Sequence, residues 1–217
     1  MTYHTILFDL DGTLTDPKEG ITKCVAHGLR HFGIQVDDLD RLECFIGPPL
    51  SDSFSEYYGL DEEQTRIAIE KYRERFGEKG WVENFPYPGM VSLLEDLRAA
   101  GKRLAIATSK PEQFAVRILN HFGMAEYFTL ICGAPLDNPA GSRKSSVIRD
   151  ALARMGITDL TGVLMVGDRH HDVDGAHEVG LPAAGVLYGY GDRAEHEAAG
   201  AEYIVEDIPA LHSLLLG

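Results

Sequence analysis

The chain has 217 residues, 44% of them apolar, with 20 Lys and Arg against 34 Asp and Glu and a formal charge of −14 at pH 7. That length accommodates one sizeable core, alone or with a small inserted domain, and the apolar share argues against disorder. The acidic field opposes nucleic acid and anionic lipid as main partners. An anionic substrate would need positive charge supplied locally, because charges beyond ~8 Å are largely screened at physiological salt.

Thr5 to Phe8 reads as a buried strand running into Asp9-Leu10-Asp11-Gly12-Thr13-Leu14-Thr15. Two carboxylates two residues apart at a strand end point roughly the same way. Without a counter-ion they would repel, and one would resist ionisation. A divalent cation removes the conflict and leaves one carboxylate free to act as a nucleophile.

From about Asp16 to Phe85 there is no convincing strand. Helical segments are predicted around Ile21 to Phe32, Leu50 to Tyr58 and Asp61 to Phe76. The run Phe45-Ile46-Gly47-Pro48-Pro49-Leu50 is a rigid turn between helices, either a plain helix break or a substrate loop. The αβ rhythm resumes near Pro86-Tyr87-Pro88-Gly89. The predicted division is a core of residues 1–15 and 86–217 and an inserted helical domain of residues 16–85, with hinges near Thr15 to Lys18 and Asn84 to Pro88.

Met90, Leu93, Leu94 and Leu97 keep helical spacing before Gly101. Pro111 opens a helix striped by Phe114, Ile118 and Leu119 and ended by Gly123. Val147, Ile148, Ala151, Leu152 and Met155 repeat the pattern before Gly156. Strand-like runs alternate with them: Arg103 to Ala107, Thr129 to Cys132, Val163 to Val166 and Ala183 to Leu187. Such alternation implies a parallel sheet covered on both faces.

Open parallel sheets bind ligands outside the carboxyl ends of their strands. The second strand ends in Thr108-Ser109-Lys110 and the fourth in Gly167-Asp168-Arg169-His170-His171-Asp172, while Gly141-Ser142-Arg143-Lys144 leads into a helix. Carboxylates, a hydroxyl and a cation meeting at one edge are the parts of a phosphoryl-transfer site. Each has a plainer reading: Thr108 as a helix cap, Lys144 as a solvated lysine with Arg143 as its substitute, the aspartates as loop carboxylates. Adjacent His170 and His171 on a loop are expected to point apart, which disfavours a transition-metal site. Cys24, Cys44 and Cys132 are odd in number and widely spaced, as in reduced thiols. No leader precedes the first strand, and no apolar run approaches the ~20 residues needed to span a bilayer, so the expected location is cytoplasmic.

Asp9-Leu10-Asp11-Gly12-Thr13, Thr108, Lys144 and Gly167-Asp168 with Asp172, in that order, resemble the four signatures of the haloacid dehalogenase superfamily of aspartyl-phosphate hydrolases. The helical insertion resembles the C1-type caps of its phosphoglycolate phosphatase-like and 5′-nucleotidase-like members. Ser145 departs from the frequent Lys-Pro form of the third signature. The resemblance implies an α/β, Rossmann-like parallel-sheet core with an inserted small helical cap. It implies a magnesium-dependent phosphatase for small phosphomonoesters, phosphoglycolate-like or nucleoside 5′-monophosphates, working through an aspartyl phosphate.

Carried onto this chain, Asp9 would be the nucleophile, and Asp11 the proton donor and then the base. Mg²⁺ would bind Asp9, the Asp11 carbonyl and Asp168, with Asp172 a direct ligand or one shell further out. Thr108 and the Asp11 or Gly12 amide would meet phosphoryl oxygens, and Lys144 would pair with Asp9 and the phosphoryl group. Ser109, Lys110 and Gly47 complete the expected substrate contacts. Lys23 could mimic the Schiff-base lysine of phosphonoacetaldehyde hydrolases, against the plainer reading of a solvated helix lysine. A phosphomutase is the alternative enzyme and a phospho-acceptor regulatory module the alternative of another class. Asp11 disfavours a dehalogenase and, with the cap, a regulatory module. The expected partner is a small phosphorylated metabolite, the expected state a monomer or weak homodimer.

Overall fold

A computed structural model describes residues 2–136 and 142–217; Gly141, of the run leading to Lys144, lies outside them. The chain forms two compact units, Met1–Asp16 with Pro86–Gly217, and Pro17–Phe85.

The larger unit is an α/β fold around six parallel strands: β1 (Thr5–Phe8), β4 (Arg103–Pro111), β5 (Leu130–Ala134), β6 (Val163–Gly167), β7 (Ala183–Val186) and β8 (Tyr203–Val205). The two-residue strands β2 (Thr15–Asp16) and β3 (Phe85–Pro86) form a separate ribbon. The sheet order is β5-β4-β1-β6-β7-β8. The chain therefore builds outward from β1 first on one side and then on the other, and β1 sits at the switch point where open α/β sheets bind ligands. Phe8 is level with Ile106 of β4 and Val166 of β6. Asp9, Thr108 and Asp168 thus all emerge at one end of three adjacent strands.

Helices α4 (Met90–Ala99), α5 (Glu112–His121), α6 (Lys144–Arg154), α7 (His170–His177), α8 (Arg193–Ala199) and α9 (Ile208–Leu216) complete this unit. The inner strands β1, β6 and β7 are buried on both faces, as a parallel sheet requires. Leu7, Ala105, Ala107 and Met165 meet Val147, Ile148 and Ala151 of α6 and Val173 and Ala176 of α7 in one cluster. Phe8, pointing to the opposite face, packs edge-on against Phe128 with ring centroids 6.4 Å apart. Truncating a side chain as buried as Leu7 to alanine typically costs about 2–5 kcal/mol.

The smaller unit is helical: α1 (Lys18–Arg30), a 3₁₀ turn Leu39–Phe45, α2 (Leu50–Tyr58), α3 (Glu62–Arg75) and a wider turn Phe76–Gly80. Helix α3 starts where a reciprocal cap forms: Gln64 N donates to Asp61 Oδ1 at 2.9 Å and Asp61 N to Gln64 Oε1 at 3.0 Å. Helix α2 stops at Gly59, whose φ of +63° is left-handed. Lys23 is ion-paired with Glu19 and with Glu83 at 3.2 Å. Hydrogen bonding to Glu19 holds its pKa above the ordinary value, the wrong direction for an amine that must lose its proton to form a Schiff base. No helix among the described residues is long and apolar enough to cross a membrane.

Candidate active site

Where β1 ends, Asp9 N still donates to Val166 O of β6 at 2.9 Å, so the first carboxylate is held at the rim of the sheet. The chain then turns back on itself. Leu10 O accepts from Leu14 N at 2.9 Å and Thr15 N at 3.1 Å, and Gly12 N donates to Thr15 O at 2.8 Å. Gly12 has φ +81°, and a Cβ there would lie 2.1 Å from Asp168 Oδ2. Only glycine satisfies both the left-handed backbone and the close approach of that carboxylate.

Lys144 is the first residue of α6, where the helix dipole disfavours a cation. Carboxylates hold it there instead. Its Nζ lies 2.8 Å from Asp9 Oδ1 and 2.7 Å from Asp172 Oδ1, and donates to Ala107 O at 3.0 Å. Burial alone would lower the Lys144 pKa; Asp172 and Asp9 outweigh it and hold the ammonium form above its ordinary range. Apart from the Lys144 ammonium, neither Asp9 Oδ1 nor Asp172 Oδ1 has a polar partner, so both buried oxygens keep lone pairs to offer.

Asp168 follows β6 and is fully buried. Its Oδ1 accepts from Thr13 Oγ1 at 3.2 Å and its Oδ2 from Tyr190 N at 2.9 Å. Burial, then Asp172 and Asp9, push its pKa well above the usual carboxylate range. Asp172, in the first turn of α7, accepts from Arg169 N at 3.1 Å through Oδ2. Burial pushes its carboxyl up to about 6 although Lys144 pulls the other way. Burial also raises Asp11, more than its partner Lys110 lowers it.

Asp9, Asp168 and Asp172 each offer an oxygen, and these oxygens lie within 4.8 Å of one another. Among the described residues, the four buried carboxylates, Asp11 included, are ion-paired with two ammonium groups, those of Lys144 and Lys110. Clustered carboxylate oxygens with excess negative charge suit a hard divalent cation. The Asp11 side chain is outside that trio and pairs with Lys110 instead.

Thr108 is buried, and its Oγ1 accepts from Lys110 N at 3.3 Å, so it sits at the strand end and does not cap α5, which starts two residues beyond Lys110. Ser109 is half-buried beside it. Arg143 precedes α6 and does not take the place of Lys144. Gly47, with φ +106°, lies in the smaller unit between the 3₁₀ turn and α2. One expectation is corrected: His170 and His171 open a helix and do not point apart, their ring centroids being 3.8 Å from each other. The first helical turn brings both rings together, His170 Nδ1 lies 2.9 Å from Asp174 Oδ2, and burial with the neighbouring His170 lowers His171 to about 4.

Sequence reasoning missed the loop after β7. Tyr190 N holds Asp168, Tyr190 Oη bonds the Asp16 carboxylate, and Tyr188 Oη donates to Thr13 O at 3.0 Å. The run Tyr188-Gly189-Tyr190-Gly191 at a strand end was the available signal.

The sequence profile of haloacid dehalogenase-like hydrolases matches residues 6–186. The chain is 44% identical to a 5′-nucleotidase of Pseudomonas aeruginosa, covering 99% of this chain and 96% of that protein. It is also 44% identical to tyrosine-protein kinase PtkA of Mycobacterium tuberculosis over 86% of this chain and 62% of that one. The solved structure of a predicted phosphatase from Clostridium acetobutylicum superposes with a TM-score of 0.96 at 48% identity, covering 100% of this chain and 99% of that one. With its six-stranded order, its buried aspartate trio and this profile match over most of its length, the chain belongs to the haloacid dehalogenase-like hydrolase family.

Proposed function

We propose that this hydrolase cleaves small phosphomonoesters, phosphoglycolate-like or nucleoside 5′-monophosphates, through an aspartyl phosphate on Asp9. It is a phosphoric monoester hydrolase. The observation that carries the reading is the setting of Asp9: a buried carboxylate at the switch point, 2.8 Å from the Lys144 ammonium and grouped with Asp168 and Asp172, with Asp11 two residues on.

Asp9 attacks phosphorus, and the bond to the leaving oxygen breaks while Asp11 gives that oxygen a proton. Water then attacks phosphorus, its proton passes to Asp11, and the Asp9–phosphorus bond breaks to release inorganic phosphate. Lys144 balances the charge on Asp9 and the phosphoryl oxygens. Thr108 and the Asp11 or Gly12 amide orient those oxygens, with Ser109 on the same side. Asp9, the Asp11 carbonyl, Asp168 and Asp172 would hold Mg²⁺, which when bound would neutralise developing phosphoryl charge. Residues 16–85 serve as a cap, and the turn around Gly47 selects the leaving group. Three free thiols among the described residues agree with a reducing, cytoplasmic setting. The enzyme acts as a monomer or weak homodimer.

The 5′-nucleotidase relative supports water as acceptor, and the PtkA relative makes a tyrosine hydroxyl the second acceptor to test. A phosphomutase would need a bisphosphate activator. The experiment is phosphate release from nucleoside 5′-monophosphates, phosphoglycolate and para-nitrophenyl phosphate, with Mg²⁺ and then with EDTA. Metal-dependent free phosphate is expected. Transfer to tyrosine or to a sugar phosphate with no free phosphate would overturn hydrolysis.

A further inference from the structure

Strand β4 outruns its neighbour. Ala105 to Thr108 pair in step with Leu130 to Gly133, but the next pair is Pro111 with Ala134. Ser109 and Lys110 have no opposite residues, and such a bulge bends a strand and re-aims its side chains. Gly133 permits it: a Cβ there would lie 2.5 Å from Glu112 Cα and 2.6 Å from Lys110 O. The bulge sends the Lys110 ammonium to Asp11 Oδ2, across 99 positions of sequence, with side-chain exposures of only 5% and 11%. The other oxygen, Asp11 Oδ1, is buried and has no hydrogen-bond partner. One oxygen is anchored and its twin is bare.

We propose that Lys110 is the positioning residue of Asp11: from the β4 bulge it holds Oδ2 in place and so assigns proton transfer to Oδ1. This rests on the phosphatase reading above. The step that depends on it most is breakdown of the intermediate. Water oxygen bonds to phosphorus, the bond from phosphorus to Asp9 breaks with its electron pair returning to the carboxylate, and the water proton moves to Asp11 Oδ1. Formation of the intermediate from a nitrophenyl ester needs no proton, because nitrophenolate leaves as an anion.

The test separates the two steps by rapid quench with para-nitrophenyl phosphate, comparing wild type with Lys110→Met and Lys110→Arg. General acid–base help is worth roughly 10² to 10⁴. Lys110→Met should therefore slow hydrolysis of the aspartyl phosphate at least about tenfold, while the nitrophenolate burst and its half-saturation stay within about threefold. Phosphoprotein should accumulate, and Lys110→Arg should recover most of the loss. In an Asp11→Asn background, Lys110→Met should change neither step. A burst slowed, or a half-saturation raised, as much as hydrolysis would make Lys110 a phosphate grip and overturn the proposal, as would wild-type hydrolysis. If Lys110→Met does not fold, Lys110→Gln carries the same expectations. Failure of the phosphatase reading is seen separately, as wild-type enzyme with neither burst nor phosphoprotein.

Discussion

Replacing Lys144 with methionine keeps most of the side-chain volume and removes the one cation between Asp9 and Asp172. At 2.8 and 2.7 Å, a full charge pair at an effective dielectric near 20 is worth about 6 kcal/mol before desolvation. Removing one partner of a buried pair nets a loss of roughly 3–5 kcal/mol. For a chain of this size 1 kcal/mol moves the melting temperature about 2–4 °C, so the metal-free variant should melt roughly 6–20 °C below wild type at pH 8. The pH dependence has a definite sign. Asp172 and Asp168 have folded pKa values raised above the ordinary carboxylate value, so the stability they contribute is fully present below about pH 4 and is lost as pH rises through the folded value, about 6 for Asp172. At pH 5 Asp172 is largely neutral and asks for no cation, and the gap between variant and wild type should narrow. Thermal unfolding in EDTA at both pH values is the assay. A variant within about 2 °C of wild type at pH 8 would refute the claim that Lys144 holds these strand ends together.

Asp11→Asn should release little phosphate but accumulate aspartyl phosphate from nitrophenyl esters, seen by mass spectrometry of the intact protein; wild-type rates on alkyl esters would contradict its role. Gly12→Ala should lose at least about 1–3 kcal/mol from the left-handed backbone. It should also weaken Mg²⁺ binding, measured by calorimetry, because the new methyl would displace Asp168 from 2.1 Å away. Saturating Mg²⁺ at about 100 times its dissociation constant should stabilise the EDTA-treated protein by about 2.7 kcal/mol. Ca²⁺ should support far less turnover, since it accepts more ligands and a looser geometry.

The strand into Asp9 and the chemistry at its end were legible because burial, a period-two pair of carboxylates and a breaking glycine all lie within eight residues. The helices α4, α5 and α6 were legible from apolar spacing and terminal glycines. Helix α8, rich in charge and alanine, and the three-residue edge strand β8 carry too little apolar pattern to be read locally. The order of strands, with β1 between β4 and β6, is a tertiary fact that places Lys144 over Asp9. The pairing of Lys110 with Asp11 depends on a two-residue register shift that Gly133 allows, and the contacts of Tyr188 and Tyr190 on a loop folding back over Gly12. The first has no signature in spacing, and the second only the Tyr-Gly-Tyr-Gly run after β7. His170 and His171 misled because they read as loop residues, whereas they begin a helix.

The central claim is that Asp9 carries the phosphoryl group. Enzyme quenched in acid during turnover of a phosphomonoester and reduced with tritiated borohydride, which converts an aspartyl phosphate to homoserine and releases its phosphate, should after digestion carry tritium on the peptide spanning Asp9 and on no other. Asp9→Asn protein should yield none. Steady phosphate release with no tritium ever on that peptide, or with the phosphoryl group found on a histidine or serine elsewhere, would contradict the account.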